Sequence, residues 1–160
     1  MLSPVLFHAS TKEMPTGHRI VADRPAAKYR EVVALLEKSR PVSLPSRDVC
    51  VFASDNPVAA VRFLMSENVP FDKVKLYRVS LTSYHKAPFC LVHEIHRRLT
   101  ATGRVESLVD EYWAPNLSWR FWEFFGPFFE VVEIAKPVSF AQAYAFGFTY
   151  ESDINQAKLL

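Results

Sequence analysis

His8 closes the β-prone run Val5–His8, where an imidazole can leave the core and face a cleft, and the small residues Ala9 and Ser10 beside it leave room for a ligand. A hydrogen-bonded structural histidine fits the same position. In "HEIHRR", His93 and His96 share one helix face at a spacing that suits a metal ion, but H-E-x-x-H is absent and no third ligand stands at a recognisable distance. A solvated helix face is the favoured reading there. Arg47 precedes a strand-like run, and its guanidinium can fork onto phosphate oxygens or stay a solvated loop charge. Late in the chain, Glu123 has aromatic residues on both sides in "RFWEFFG" and is therefore partly shielded, while Glu111 opens "EYWAP". Cys50 and Cys90 lack the flanking signatures of cysteine nucleophiles, and no G-x-S-x-G elbow occurs. With 4 glycines in the chain there is neither a G-x-G-x-x-G nor a P-loop, so side chains and strand ends must hold any bound phosphate.

The elements that position these residues follow from periodicity. A first strand leads into the polar loop "ASTKEMPTGHRI". A helix is expected over Ala26–Lys38, with Tyr29, Val32, Val33, Leu35 and Leu36 as its apolar stripe. A second strand covers Val49–Ala53. The elbow Ser54–Pro57 then opens a helix that runs to about Ser66, with Asp55 or Asn56 as N-cap and proline in the first turn. "KVKLYRVSL" alternates like a strand, and "APFCLVHEIHRRLTATG" reads as a helix ending at Gly103. Aromatic and β-branched residues crowd the stretch from Val109 to Val138, which is expected to form two or three strands, the last over Phe128–Ile134. The tail is either a short helix to Phe146 or a strand through "YAFGFTY". Strands and helices alternate early and strands cluster late, which predicts an α+β fold in one domain over residues 1–160.

Composition narrows the classes. Hydrophobic residues at 49 % and charged ones at 22 % fit a globular protein with a real core, and a net charge of +2 is too small for a nucleic-acid footprint. No apolar run reaches a membrane span, the first residues lack a signal-peptide pattern, and two cysteines fit a reducing cytoplasm. The aromatic stretch from Tyr112 to Phe129 is either a dense core or a stacking surface.

Taken in order, "LFHAS", "SRPVSLPSRDVCVFASDNPVAAVRFL" and "EYWAPNLSWRFWEFFGPFFEVVEI" resemble the ADP-ribosyltransferase superfamily, in particular its small bacterial and phage members. The resemblance covers most of residues 5–135. It implies a split, mixed β-sheet core of two packed small sheets with flanking helices. It also implies cleavage of the nicotinamide–ribose bond of NAD+ and transfer of ADP-ribose to a macromolecular acceptor, protein or nucleic acid, without a metal. NAD glycohydrolysis and a catalytically inactive protein-binding module are the alternatives. Under this resemblance His8 bonds the adenosine-side ribose, with Ala9 and Ser10 beside it. Phe52 and Phe63 sandwich the nicotinamide, Ser54 is an alternative second-strand residue, and Arg47 meets the diphosphate. The carboxylate that grips the nicotinamide ribose is Glu123, with Glu111 as competitor. Bond cleavage of this kind passes through an oxocarbenium-like centre, which a nearby carboxylate stabilises.

Overall fold

The computed structural model describes residues 4–22, 29–147, 149–154 and 158–159. Its strands are β1 (Leu6–Ser10), β2 (Arg19–Val21), β3 (Val51–Ser54), β4 (Lys75–Ser80), β5 (His85–Pro88), β6 (Leu117–Ser118), β7 (Trp122–Gly126), β8 (Phe128–Ile134) and β9 (Lys158–Leu159). The helices are α1 (Arg30–Ser39), α2 (Pro57–Ser66), α3 (Leu91–Ala101), α4 (Glu106–Trp113), α5 (Phe140–Ala145) and α6 (Tyr150–Ile154). The fold is α+β, as expected. Seven strands form a sheet in the order β2-β8-β4-β1-β3-β7-β5, and β6 pairs with β9 separately. Every described pairing is antiparallel, so the expectation of a mixed sheet is corrected. The expected pair of small sheets is instead one hydrogen-bonded sheet, but its two parts are joined thinly. β1 and β3 share the single rung Phe7↔Ser54, whereas β1 meets β4 through a ladder from Leu6↔Val79 to Ser10↔Lys75.

Alternation along β1 distributes its side chains between two cores. Leu6 faces the larger one, with Tyr77 and Val79 of β4 and Phe129 and Val131 of β8. Phe7 and Ala9 pack toward a smaller core under α2, built from Ala60, Val61, Leu76, Ala135 and Ala143. Helices α1, α3 and α4 pack on one another, and α2 lies on β1 and against α5. No helix among the described residues is long and apolar enough to cross a membrane.

The elbow after β3 is explained by its polar atoms. Asn56 is the N-cap of α2, its Oδ1 accepting from the amides of Val58 at 2.9 Å and Ala59 at 3.1 Å, while Ser54 Oγ accepts from the Asn56 amide at 3.1 Å. Pro57 occupies the first turn, where a missing N–H costs nothing.

Several elements differ from their expected form. Residues Val109–Trp113, read as strand, belong to α4. Val105, Leu108, Val109, Tyr112 and Trp113 recur at helical spacing and are all buried, so packing of that stripe overrides the β propensity of its aromatic and branched residues. "APFC" begins in β5, whose Pro88 closes a short strand at the sheet edge. The short strand β2, absent from the expected elements, pairs with β8. Of the two forms expected for the tail, Phe140–Ala145 takes the helical one as α5, capped by Ser139 and Gln142 in a reciprocal box. The expected helix start at Ala26 and Phe148 of the alternative strand lie outside the described residues.

Gly126 ends β7 where the backbone of Ser83 crosses it, and a Cβ built there would stand 2.1 Å from the Ser83 carbonyl oxygen. Backbone on both sides cannot yield as a flexible side chain would. Gly126→Ala is therefore expected to lower unfolding free energy by about 2–3 kcal/mol, measured by urea denaturation.

Candidate functional site

The β3–β7 ladder brings the first group of residues together. Phe52 stands opposite Phe125 and Ser54 opposite Glu123, so all four share one face of the sheet. β5 extends that face, with His85 across from Phe125 and Ala87 across from Glu123. α4 lays Tyr112 over it, the phenol ring stacked on Phe125 at 6.1 Å between centroids.

Arg47 completes the group from a 3-10 turn, Arg47–Val49, that precedes β3. The turn is fixed by Ser46, whose Oγ accepts from the Asp48 amide at 3.2 Å, and by Glu37, which accepts from the Arg47 amide at 2.7 Å. The guanidinium is thereby carried into the interior. Its Nη1 donates to both the Tyr112 hydroxyl and Glu123 Oε1. Tyr112 in turn donates to the same Oε1 at 2.6 Å. The guanidinium carbon sits 4.5 Å from the centroid of Phe52, a cation–π contact shielded from water.

These contacts leave Glu123 asymmetric. Oε1 is held by two donors, while no hydrogen bond among the described residues falls on Oε2, and the side chain keeps 13 % of its exposure. Arg47 is likewise under-used, because its buried Nε has no partner among the described residues.

Electrostatics fix the protonation of the surrounding groups. Burial alone would lower the pKa of Arg47, but Glu123 and Tyr112 together outweigh it, and the guanidinium is held more firmly charged than usual. Burial pushes the Tyr112 phenol well above its ordinary range, so it remains a neutral donor. Burial also lowers His8 and His85, partly offset at His8 by the Phe52 carbonyl and at His85 by a bond to the Tyr112 backbone and the charge of Glu123. Both imidazoles are neutral at about pH 7. A histidine depressed on folding contributes stability in full above the unfolded value of about 6.5, and loses it as pH falls toward the folded value. In an NMR titration, the ring-proton signals of His8 and His85 are accordingly expected to lie nearer their neutral positions at about pH 6.5 than those of an unperturbed imidazole, which is half protonated there.

His8 reaches this group through the join between the sheet's two parts. Where β1 and β3 diverge after their one rung, His8 Nδ1 donates to the Phe52 carbonyl at 2.7 Å, which leaves Nε2 as the acceptor nitrogen of the neutral ring. The ring packs 4.8 Å from Phe129. His8, Phe52, Arg47 and Glu123 are thus linked by successive contacts.

Other expected site residues lie elsewhere. Glu111 is not in the group: its carboxylate accepts from the amides of Asn116 and Leu117 and from Trp119 Nε1, tying down the loop after α4. Phe63 and Phe52 form no sandwich, since Phe63 meets Phe89 edge-on at 6.2 Å while Phe52 stacks on Phe125 at 5.5 Å. Ala9 packs under α2, away from the larger core, and Ser10 Oγ accepts from the Lys12 amide. Ser54 borders Glu123 but its hydroxyl serves the elbow. His93 and His96 contact Tyr29, through a 2.8 Å hydrogen bond and a ring contact of 4.5 Å, and no group of three metal-ligating side chains occurs among the described residues. Arg47, expected either to meet a diphosphate or to stay a solvated loop charge, is not solvated: it is buried on Glu123.

Tyr112 and His85 are the members that sequence reasoning missed. Helical spacing from Val105 to Trp113 was the signal for Tyr112. Two surface clefts, of about 480 and 360 Å³, are lined by residues including Lys73 and Lys75 in one and Phe7, Pro57 and Lys136 in the other; neither is lined by His8, Phe52 or Glu123. No protein-family model, curated protein or solved structure matches the chain.

Proposed function

We propose that this protein is an ADP-ribosyltransferase, cleaving the nicotinamide–ribose bond of NAD+ and passing ADP-ribose to a macromolecular acceptor. The observation that carries this reading is Glu123, a carboxylate with one oxygen pinned and the other open, linked by contacts to the His8 imidazole across a thinly joined sheet. The order of those groups, an imidazole on β1, an elbow after β3 and a glutamate on β7, resembles the superfamily, and the one-rung join is compatible with its split core. Glu111 serves its loop and is set aside as the reactive carboxylate.

In the reaction, nicotinamide departs with the electron pair of its bond to C1′, and positive charge develops on the ribose ring. Glu123 Oε2 accepts from the ribose 2′-hydroxyl and lies beside that charge, and a prepositioned carboxylate needs no reorganisation as the charge forms. His8 Nε2 accepts from a hydroxyl of the adenosine-side ribose. The acceptor's nucleophile then bonds to C1′ and yields its proton to water.

The burial of the aromatic run favours this reading over a protein-binding module with an aromatic surface. Tyr112, Trp113, Trp119, Phe121, Trp122, Phe124, Phe125 and Phe129 are each 7 % exposed or less, and only Phe128 of the aromatics in that run is half-buried, so most of it is core.

Incubation with NAD+ labelled in its adenylate half tests the proposal. Release of nicotinamide together with label on an acceptor is expected. Nicotinamide without labelled acceptor would make water the acceptor and the protein a glycohydrolase; absence of nicotinamide with protein, RNA and DNA acceptors alike would refute the cleavage itself.

A further inference from the structure

Asp153 has no part in the chemistry above, yet it is completely buried, and neither of its carboxyl oxygens has a hydrogen-bond partner among the described residues. It stands in α6, a helix of 5 residues. From α3, the Cys90 thiol faces it, a weak donor at the helix's N-cap. Glu94, next along that helix, is consumed by Arg97 and Arg98. From the segment before β7, Arg120 offers a favourable charge. On α6 itself, Tyr150 packs 5.9 Å from Trp119 and beneath the Arg98 guanidinium at 4.8 Å, while Glu151 feels Arg97. Ionising a carboxyl in such a place strips it of water and returns only the weak thiol of Cys90 and the charge of Arg120, which is costly; keeping the proton avoids the cost.

We propose that Asp153 is a carboxylic acid while α6 is docked, so that docking of α6 onto Cys90 and Trp119 takes up one proton and release returns it to solvent. Burial outweighs the attraction of Arg120 and holds the folded pKa above the ordinary value. The sign follows from linkage. Below about pH 4 both states are protonated and docking is unpenalised. As pH rises from there, the released state ionises first and docking weakens by about tenfold per unit, until Asp153 titrates in place and the penalty levels off. Release uncovers the Cys90 thiol and Trp119, which precedes Glu123 in the chain by a short loop and the start of β7.

Amide hydrogen exchange of α6, compared between the unaltered chain and Asp153→Asn at each pH so that intrinsic exchange cancels, tests this directly. The protection ratio of Asn over Asp is expected to grow from its value at about pH 4 by up to tenfold per unit and then plateau. A ratio constant from about pH 4 to 8 overturns the proposal. The ¹³C-carboxyl signal of Asp153 in the unaltered chain gives an independent reading that needs no variant to fold. A midpoint above the ordinary value of about 3.9 is expected, and one at or below it overturns the proposal. Neither measurement involves NAD+, so its outcome is separate from that of the transferase reading.

Discussion

Glu123→Gln is expected to slow nicotinamide release from NAD+ by about 10²- to 10³-fold, the usual consequence of removing one preorganised electrostatic group from a charge-developing site. The amide keeps the shape and one acceptor oxygen, but it loses the negative charge that, in the proposed reaction, faces the oxocarbenium-like ribose. Glu111→Gln is the matched control, since Glu111 serves the amides of Asn116 and Leu117 and touches none of the proposed reacting atoms. Its turnover per folded molecule is expected to stay within about twofold of the unaltered protein, because removing structural hydrogen bonds acts on stability. Rates are normalised to the folded fraction by circular dichroism. Equal losses in the two variants would show that Glu123 contributes packing and not chemistry.

The second large effect is on stability. Arg47 and Glu123 are both largely buried, so their pairing belongs to the interior, where leaving one charge without its partner is severe. Arg47→Met strands the Glu123 carboxylate beside Phe52, Tyr112 and Phe125, and is expected to lower unfolding free energy by about 3–5 kcal/mol. Replacing both members, as Arg47→Met with Glu123→Leu, removes the stranded charge. Stability should then recover toward that of the unaltered chain, although the unbonded Tyr112 hydroxyl keeps some of the loss. Urea denaturation of the two singles and the double gives the coupling energy. Single losses of about 1 kcal/mol or less, adding in the double, would be the behaviour of an exposed ion pair and would contradict the buried network. The pairing also explains why a buried guanidinium is tolerated at all: its Nη1 has two oxygen partners and its face lies on Phe52.

Much of this arrangement can be read from sequence, because it depends on local signals. The elbow at Asn56–Pro57 declares its cap and its helix in adjacent residues, and β8 occupies Phe128–Ile134 as periodicity predicts. α4 escapes because its stripe is written in Val, Tyr and Trp, residue types that favour strands, and only their spacing betrays a helix. The site is harder for a further reason. Arg47 meets Glu123 across 76 positions and Tyr112 across 65, and no local pattern states which of many charged residues will find each other over such separations. Ser54 and Glu123 become neighbours through ladder register, which is a property of the assembled sheet. The ring partners of Phe52 and Phe63 are equally invisible to local pattern. Phe63 lies on α2 and turns toward Phe89, while Phe52 is taken up by Phe125 and Arg47. Glu111 and Glu123 look alike in a string of letters, and only the assembled chain shows that the first bonds its own loop while the second meets Arg47 and Tyr112.

A crystal structure with a non-cleavable NAD+ analogue bound examines the central claim most directly. The account predicts the nicotinamide ribose within hydrogen-bond reach of Glu123 Oε2 and the adenosine ribose beside His8, with Oε1 still held by Arg47 and Tyr112. Analogue seated in the cleft near Lys73 and Lys75, or in the one between Phe7 and Lys136, with Glu123 untouched, would contradict it.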